Sequence, residues 1–162
     1  MIPLAFSLHV LSATIWVGGM FFAYVILRPV AATQFEPAQR LTLWSQVFSK
    51  FFPWVWACAI LVLGTGFWLI ANKFGGMKNL APYIHIMMTM GIVMVLIFMH
   101  VFFAPTRKLT RAVKEQNWEE AAKGLAQVRA LIGVNLIIGL SVIGAVALPR
   151  CRRDECSGHL QI

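Results

Sequence analysis

Four apolar runs, each about as long as a bilayer is thick, leave this chain few choices of fold. They extend from Pro3 to Leu27, Phe52 to Ala71, Ala81 to Ala104 and Val128 to Leu148, and take up over half of the 162 residues. A hydrocarbon core of about 30 Å is crossed by about 20 apolar residues as a helix, because each backbone amide must find its partner within the segment. The expectation is an all-α integral membrane four-helix bundle of up-down-up-down topology over residues 1–149, followed by a short polar tail, 150–162, expected to be disordered. The first run is longer than a signal-peptide core and no Lys or Arg precedes it, so it is expected to stay as a helix. No second domain, Gly-rich phosphate loop or convincing internal repeat is visible.

Charge sharpens this reading. Only 12% of residues are charged, against about a quarter in soluble domains. The six acidic residues, Glu36, Glu115, Glu119, Glu120, Asp154 and Glu155, all lie outside the runs, which excludes carboxylate chemistry and carboxylate proton relays within the bilayer. The net charge of +8 comes from basic residues flanking the runs, a pattern of contact with lipid headgroups and not of a nucleic-acid face. Arg28, Arg40, Lys50, Arg107, Lys108, Arg111, Lys114, Lys123 and Arg129 fall on one side of the membrane. Lys73, Lys78, Arg150, Arg152 and Arg153 fall on the other, so the excess of positive charge predicts both termini on the non-cytoplasmic side. Pro29 and Pro37 punctuate the first connection, Pro53 the start of the second helix, Pro82 and Pro105 the two ends of the third. Between Thr106 and Gln127, Leu109, Val113, Trp118, Ala122 and Leu125 recur near helical spacing among charged residues, which predicts an amphipathic helix lying on the headgroups.

Ionisable groups inside a membrane are costly and usually functional. Here they are His9, His85 and His100. His9 lies about 9 Å into the first helix and His85 about 5 Å into the third, at about 1.5 Å per residue. The two helices run parallel, so the imidazoles are expected at similar depth, facing each other across the bundle as two ligands of one b-type haem iron. Ser12, Ala13, Trp16 and Met20 share the His9 face and offer a small-residue gap beside an indole, with Gly18 and Gly19 allowing close backbone approach; Met88 lies near the His85 face. The alternative role for these histidines is a hydrogen bond to a carbonyl or headgroup. Lys73 and Lys78 are candidate propionate partners. His100 is about 22 Å from His85 along the helix and is expected to be structural or to contact a propionate.

A second reading is copper transport, using His9, His85, Met88 and Met99, because thioethers and imidazoles suit copper. Met87, Met90 and Met94 lie opposite His85 and are read as packing against another helix or subunit, which with the small interior motivates a homo-oligomer. Cys58 is read as a small buried apolar residue. Cys151, Cys156 and His159 could form a disulfide or a weak metal site. Asn135, Ser141, Gly133, Gly139 and Gly144 are read as helix-packing residues, and Arg28 and Arg129 as snorkelling to headgroups or holding an anionic ligand.

Several runs carry a family resemblance: Leu8-His9-Val10, Trp16-Val17-Gly18-Gly19-Met20-Phe21-Phe22-Ala23, Leu27-Arg28-Pro29, Phe51-Phe52-Pro53-Trp54-Val55-Trp56, Tyr83-Ile84-His85, His100-Val101-Phe102-Phe103-Ala104-Pro105, and Arg129 with Asn135-Leu136. Over about residues 6–147 the chain resembles the CopD-like (copper resistance protein D) bacterial inner-membrane proteins and is similar to the HemJ-type protoporphyrinogen oxidases, which bind haem. The resemblance implies a bacterial inner (plasma) membrane location and aligns His9 with the helix-one histidine of the HemJ-like group. The leading expectation is a haem b protein serving redox chemistry, electron transfer or haem handling, with membrane lipid and quinone or another redox partner as its partners. A copper-transport or copper-resistance component and a HemJ-like, haem-dependent protoporphyrinogen oxidase (an oxidoreductase) are the alternatives.

Overall fold

Prolines set most of the helix boundaries. The computed structural model describes residues 2–73 and 82–157, with side chains described for 2–72 and 82–145. Helix α1 (Ile2–Phe21) passes through a π-helical segment, Phe22–Leu27, into α2 (Arg28–Gln34). The π segment has a local cause. Pro29 carries no N–H and its ring crowds the carbonyl four residues back, and just before it the Arg28 N–H bonds to the Ala23 carbonyl, five residues back. Pro37 opens α3 (Pro37–Lys73), Pro82 opens α4 (Pro82–Phe103) and Pro105 opens α5 (Pro105–Lys114). At those positions the missing N–H is one the first helical turn would leave unpaired anyway. Helix α6 (Trp118–Ser157) follows a turn in which Gln116 takes φ 54°.

Four helical stretches are long and apolar enough to cross a membrane: Ile2–Gln34, Pro37–Asn72, Pro82–Lys114 and Trp118–Ala145. They form the expected four-helix bundle. Helix α1 packs chiefly on α3, and α4 chiefly on α6, while the parallel pair α1 and α4 makes little direct contact and takes opposite corners. Trp54, Ile60 and Ile137 project outward with about two-thirds of their surface exposed, as lipid-facing side chains would.

Two expectations are corrected. Pro53 lies inside the 37-residue α3 and does not start a helix; α3 begins sixteen residues earlier, at Pro37. The stretch 106–127 does hold an amphipathic helix, α5, with Leu109 and Ala112 on its buried face, but it is not a single helix throughout. It is split into α5 and the start of α6, which fold as a hairpin under the bundle with Leu109, Ala121, Leu125 and Val128 almost wholly buried. Gly124 makes that contact possible, since a Cβ there would sit 3.1 Å from the Leu109 backbone nitrogen.

The core is densest toward this hairpin end. Phe48 stacks on Phe52 with ring centroids 5.2 Å apart. Phe98 receives the edges of Trp16, Phe52 and Trp56 at 5.2–6.1 Å, the offset and edge-on geometries that aromatic quadrupoles favour. At the amino-terminal end of α1 the second cluster comprises, among the described residues, Ile70 and Ile84, with Met88 packed against them.

Candidate functional site

His9 is half-buried and turned toward α3, where its Nδ1 lies 3.0 Å from Thr65 Oγ1. The Thr65 hydroxyl has one hydrogen, and it is directed back along its own helix to the Leu61 carbonyl. With that hydrogen so placed, Thr65 Oγ1 is free to accept from His9; a neutral imidazole that donates from Nδ1 keeps its lone pair on Nε2. Gly66 makes room for the ring: a Cβ there would meet His9 Cε1 at 3.4 Å and Nδ1 at 3.7 Å. An outer hydrogen bond on one ring nitrogen is the usual way a protein fixes the other as a metal ligand.

The other expected site residues are dispersed. His85 is exposed on the first turn of α4 and Met88 is half-buried against Ile70 and Ile84. The contacts of His9 and Met88 on α3, at Thr65 and Ile70, are five residues apart, or about 7.5 Å along the axis. His100 and Met99 are exposed near the far end of α4. Lys78 and His159 lie outside the described residues, as do the side chains of Lys73, Cys151 and Cys156. Among the described residues no group of three His, Cys, Asp or Glu side chains is positioned to hold a metal ion.

The cradle expected for a haem does not fit one as these residues are packed. Ser12, Trp16 and Met20 are buried to within 4% of full closure, and each is taken up by helix packing. Trp16 sets its indole against Phe98, and the Met20 sulfur accepts from Asn135 Nδ2 at 3.6 Å. Ala13 is half-buried beside them. The Phe51 ring tip fills the space over Gly19 where a Cβ would be. The void lined by Trp16, Met20, Phe98 and Asn135 measures about 20 Å³, enough for about one water. With His9 turned to α3 and His85 exposed, the two imidazoles do not face each other across a slot. Of the methionines opposite His85, Met94 does pack as expected, buried beside α6 and Gly139.

Sequence reasoning missed Thr65 and Gly66. The Gly64-Thr65-Gly66 triplet in an otherwise bulky apolar run was the available signal, because small residues mark close approach between membrane helices. It also missed that Asn135, read as a packing residue, leaves its buried Oδ1 without a hydrogen-bond partner.

Fold and composition define a multi-pass α-helical membrane protein. A profile of the copper resistance protein D family, CopD, matches residues 45–148, and the chain belongs to that family. Neither the curated proteins nor the solved structures searched gave a match.

Proposed function

We propose that this protein binds copper as cargo at the amino-terminal end of its bundle and passes it on, with His9 Nε2 as the anchoring ligand. The observation that carries the reading is the His9–Thr65 hydrogen bond in a chain of the copper resistance protein D family. In this reading His9 donates to α3 through Nδ1 and keeps its lone pair on Nε2, the form in which histidine ligates metal. Imidazole and thioether are ligand types that suit copper, and Met88 stands at the same end of the bundle to supply the second kind. In this reading the protein lies in a bacterial inner membrane with both termini outside the cytoplasm, so that His9 meets copper arriving from that side.

The test is metal retention by the purified full chain in mild detergent, loaded with Cu(I) under reductant and desalted. Wild type retains copper and shows no Soret band, and His9→Ala loses the copper. A protein that purifies with a Soret band and takes up no copper would overturn the proposal in favour of haem.

A further inference from the structure

We propose that Arg28, Arg40 and Arg129, with Tyr24, form a binding site for a phosphate group at the hairpin end of the bundle. The three arginines come from three helical stretches, α2, α3 and α6. Arg129 is half-buried within electrostatic range of Arg28 and Arg40, and Arg40 lies one turn before Trp44 on the same face of α3. Arg28 and Arg129 border one small hollow whose floor is Trp44 and Phe48. Tyr24 ties the group together: its ring carries the Arg28 guanidinium 5.1 Å from its centroid, and its hydroxyl end lies against Gly133, one turn along α6 from Arg129. There a Cβ would be 3.1 Å from Tyr24 Cε2 and 3.3 Å from the hydroxyl oxygen.

Among the described residues no carboxylate forms an ion pair with these arginines. Among the described residues the ion pairs join Lys108 to Glu120, Arg111 to Glu115, and Lys123 to Glu119 and Glu120. All of them lie in the α5–α6 hairpin, and none reaches Arg28, Arg40 or Arg129. Glu36, one turn before Arg40, is bonded to it only through the backbone. Like charges held together over an apolar floor repel unless an anion joins them. Guanidinium forks match phosphate oxygens two at a time, and three such forks offer more donors than a two-oxygen carboxylate can accept. Arg28 closes the first apolar run and Arg129 opens the fourth, so the site lies at the membrane edge. There the phosphate could belong to an anionic lipid headgroup or be free in solution.

The π-helical segment accounts for the approach. It contains Tyr24 and ends one residue before Arg28, and its extra residue per turn rotates the following side chains relative to an unbroken α-helix.

The experiment uses the full chain in mild detergent, probed with phosphatidylglycerol, phosphatidylcholine and inorganic phosphate, and read by native mass spectrometry and thermal midpoint. Wild type retains phosphatidylglycerol in preference to phosphatidylcholine if the phosphate is a lipid's. If it is free, inorganic phosphate stabilises the protein and displaces the lipid. Loss of a charge-assisted contact in Arg40→Gln or Arg129→Gln weakens the bound probe by about tenfold or more. Arg129→Lys, which keeps the charge and loses the fork, falls between. Lys123→Gln, in the self-paired hairpin, leaves binding unchanged. Should Arg129→Gln fail to fold, Arg40→Gln and Arg129→Lys decide. Retention of the probe by these variants within about twofold of wild type, or no binding of any probe by wild type, overturns the site.

Discussion

The two ends of this bundle are built differently. At the hairpin end, Trp44, Phe48, Phe52 and Phe98 interlock, Leu109 and Val128 are sealed from solvent, and α5 closes the bundle from below. At the amino-terminal end two buried isoleucines and a methionine make up the second cluster, and His9 and His85 stand half-buried and exposed. Dense packing fixes shape, whereas a site that takes up and releases an ion needs ligands that can move and be reached. In the proposed reading the hairpin end supplies rigidity and the amino-terminal end supplies the copper ligands.

Substitutions can break this contrast. Phe48→Ala, which empties a fully enclosed site, is expected to destabilise the folded protein most, by about 3–5 kcal/mol in denaturation of the detergent-solubilised chain. Gly124→Val drives a branched side chain into the Leu109 backbone and is expected to cost about 1–3 kcal/mol. Gly19→Ala should cost clearly less, although its Cβ comes nearer a neighbour, because the neighbour is the tip of the half-buried Phe51 ring, which can swing aside. At the amino-terminal end Ile70→Val is expected to cost about 0.5–1.5 kcal/mol. If Phe48→Ala proved no more damaging than Ile70→Val, the two ends would not differ as described. Smallest of all, Lys123→Gln removes exposed ion pairs with Glu119 and Glu120 and should leave the unfolding midpoint within error of wild type.

The length and spacing of the apolar runs made the helix count, the topology and the diagonal placement of α1 and α4 legible, because bilayer thickness translates directly into residues. The hairpin was not legible as one. Leu109 and Leu125 recur with the same period whether their stripe meets headgroups or another helix, and only Gly124, read as an approach point, separates the two cases. The extent of α3 was hidden for a related reason: its first turns, through Arg40 and Lys50, are polar enough to resemble a loop, and they are held by Leu41, Trp44 and Phe48 packing inward. His9 could be singled out by chemistry, since few ionisable side chains lie within the apolar runs. Its orientation could not, because that depends on Thr65 and Gly66, 56 and 57 positions away. The paired-histidine expectation rested on equal depth, and depth does not specify which way a side chain turns.

The account stands most directly on the hydroxyl that fixes the His9 tautomer, and the decisive measurement is the Cu(I) affinity of Thr65→Val by competition with a chromophoric chelator. The substitution keeps the shape of the side chain and removes the hydroxyl, both the acceptor facing His9 and the donor to the Leu61 carbonyl. The account predicts a loss of about 10–100-fold relative to wild type with the fold intact, the usual cost of removing a partner behind a metal ligand. An unchanged affinity in Thr65→Val, with copper still bound by His9→Ala, would contradict it.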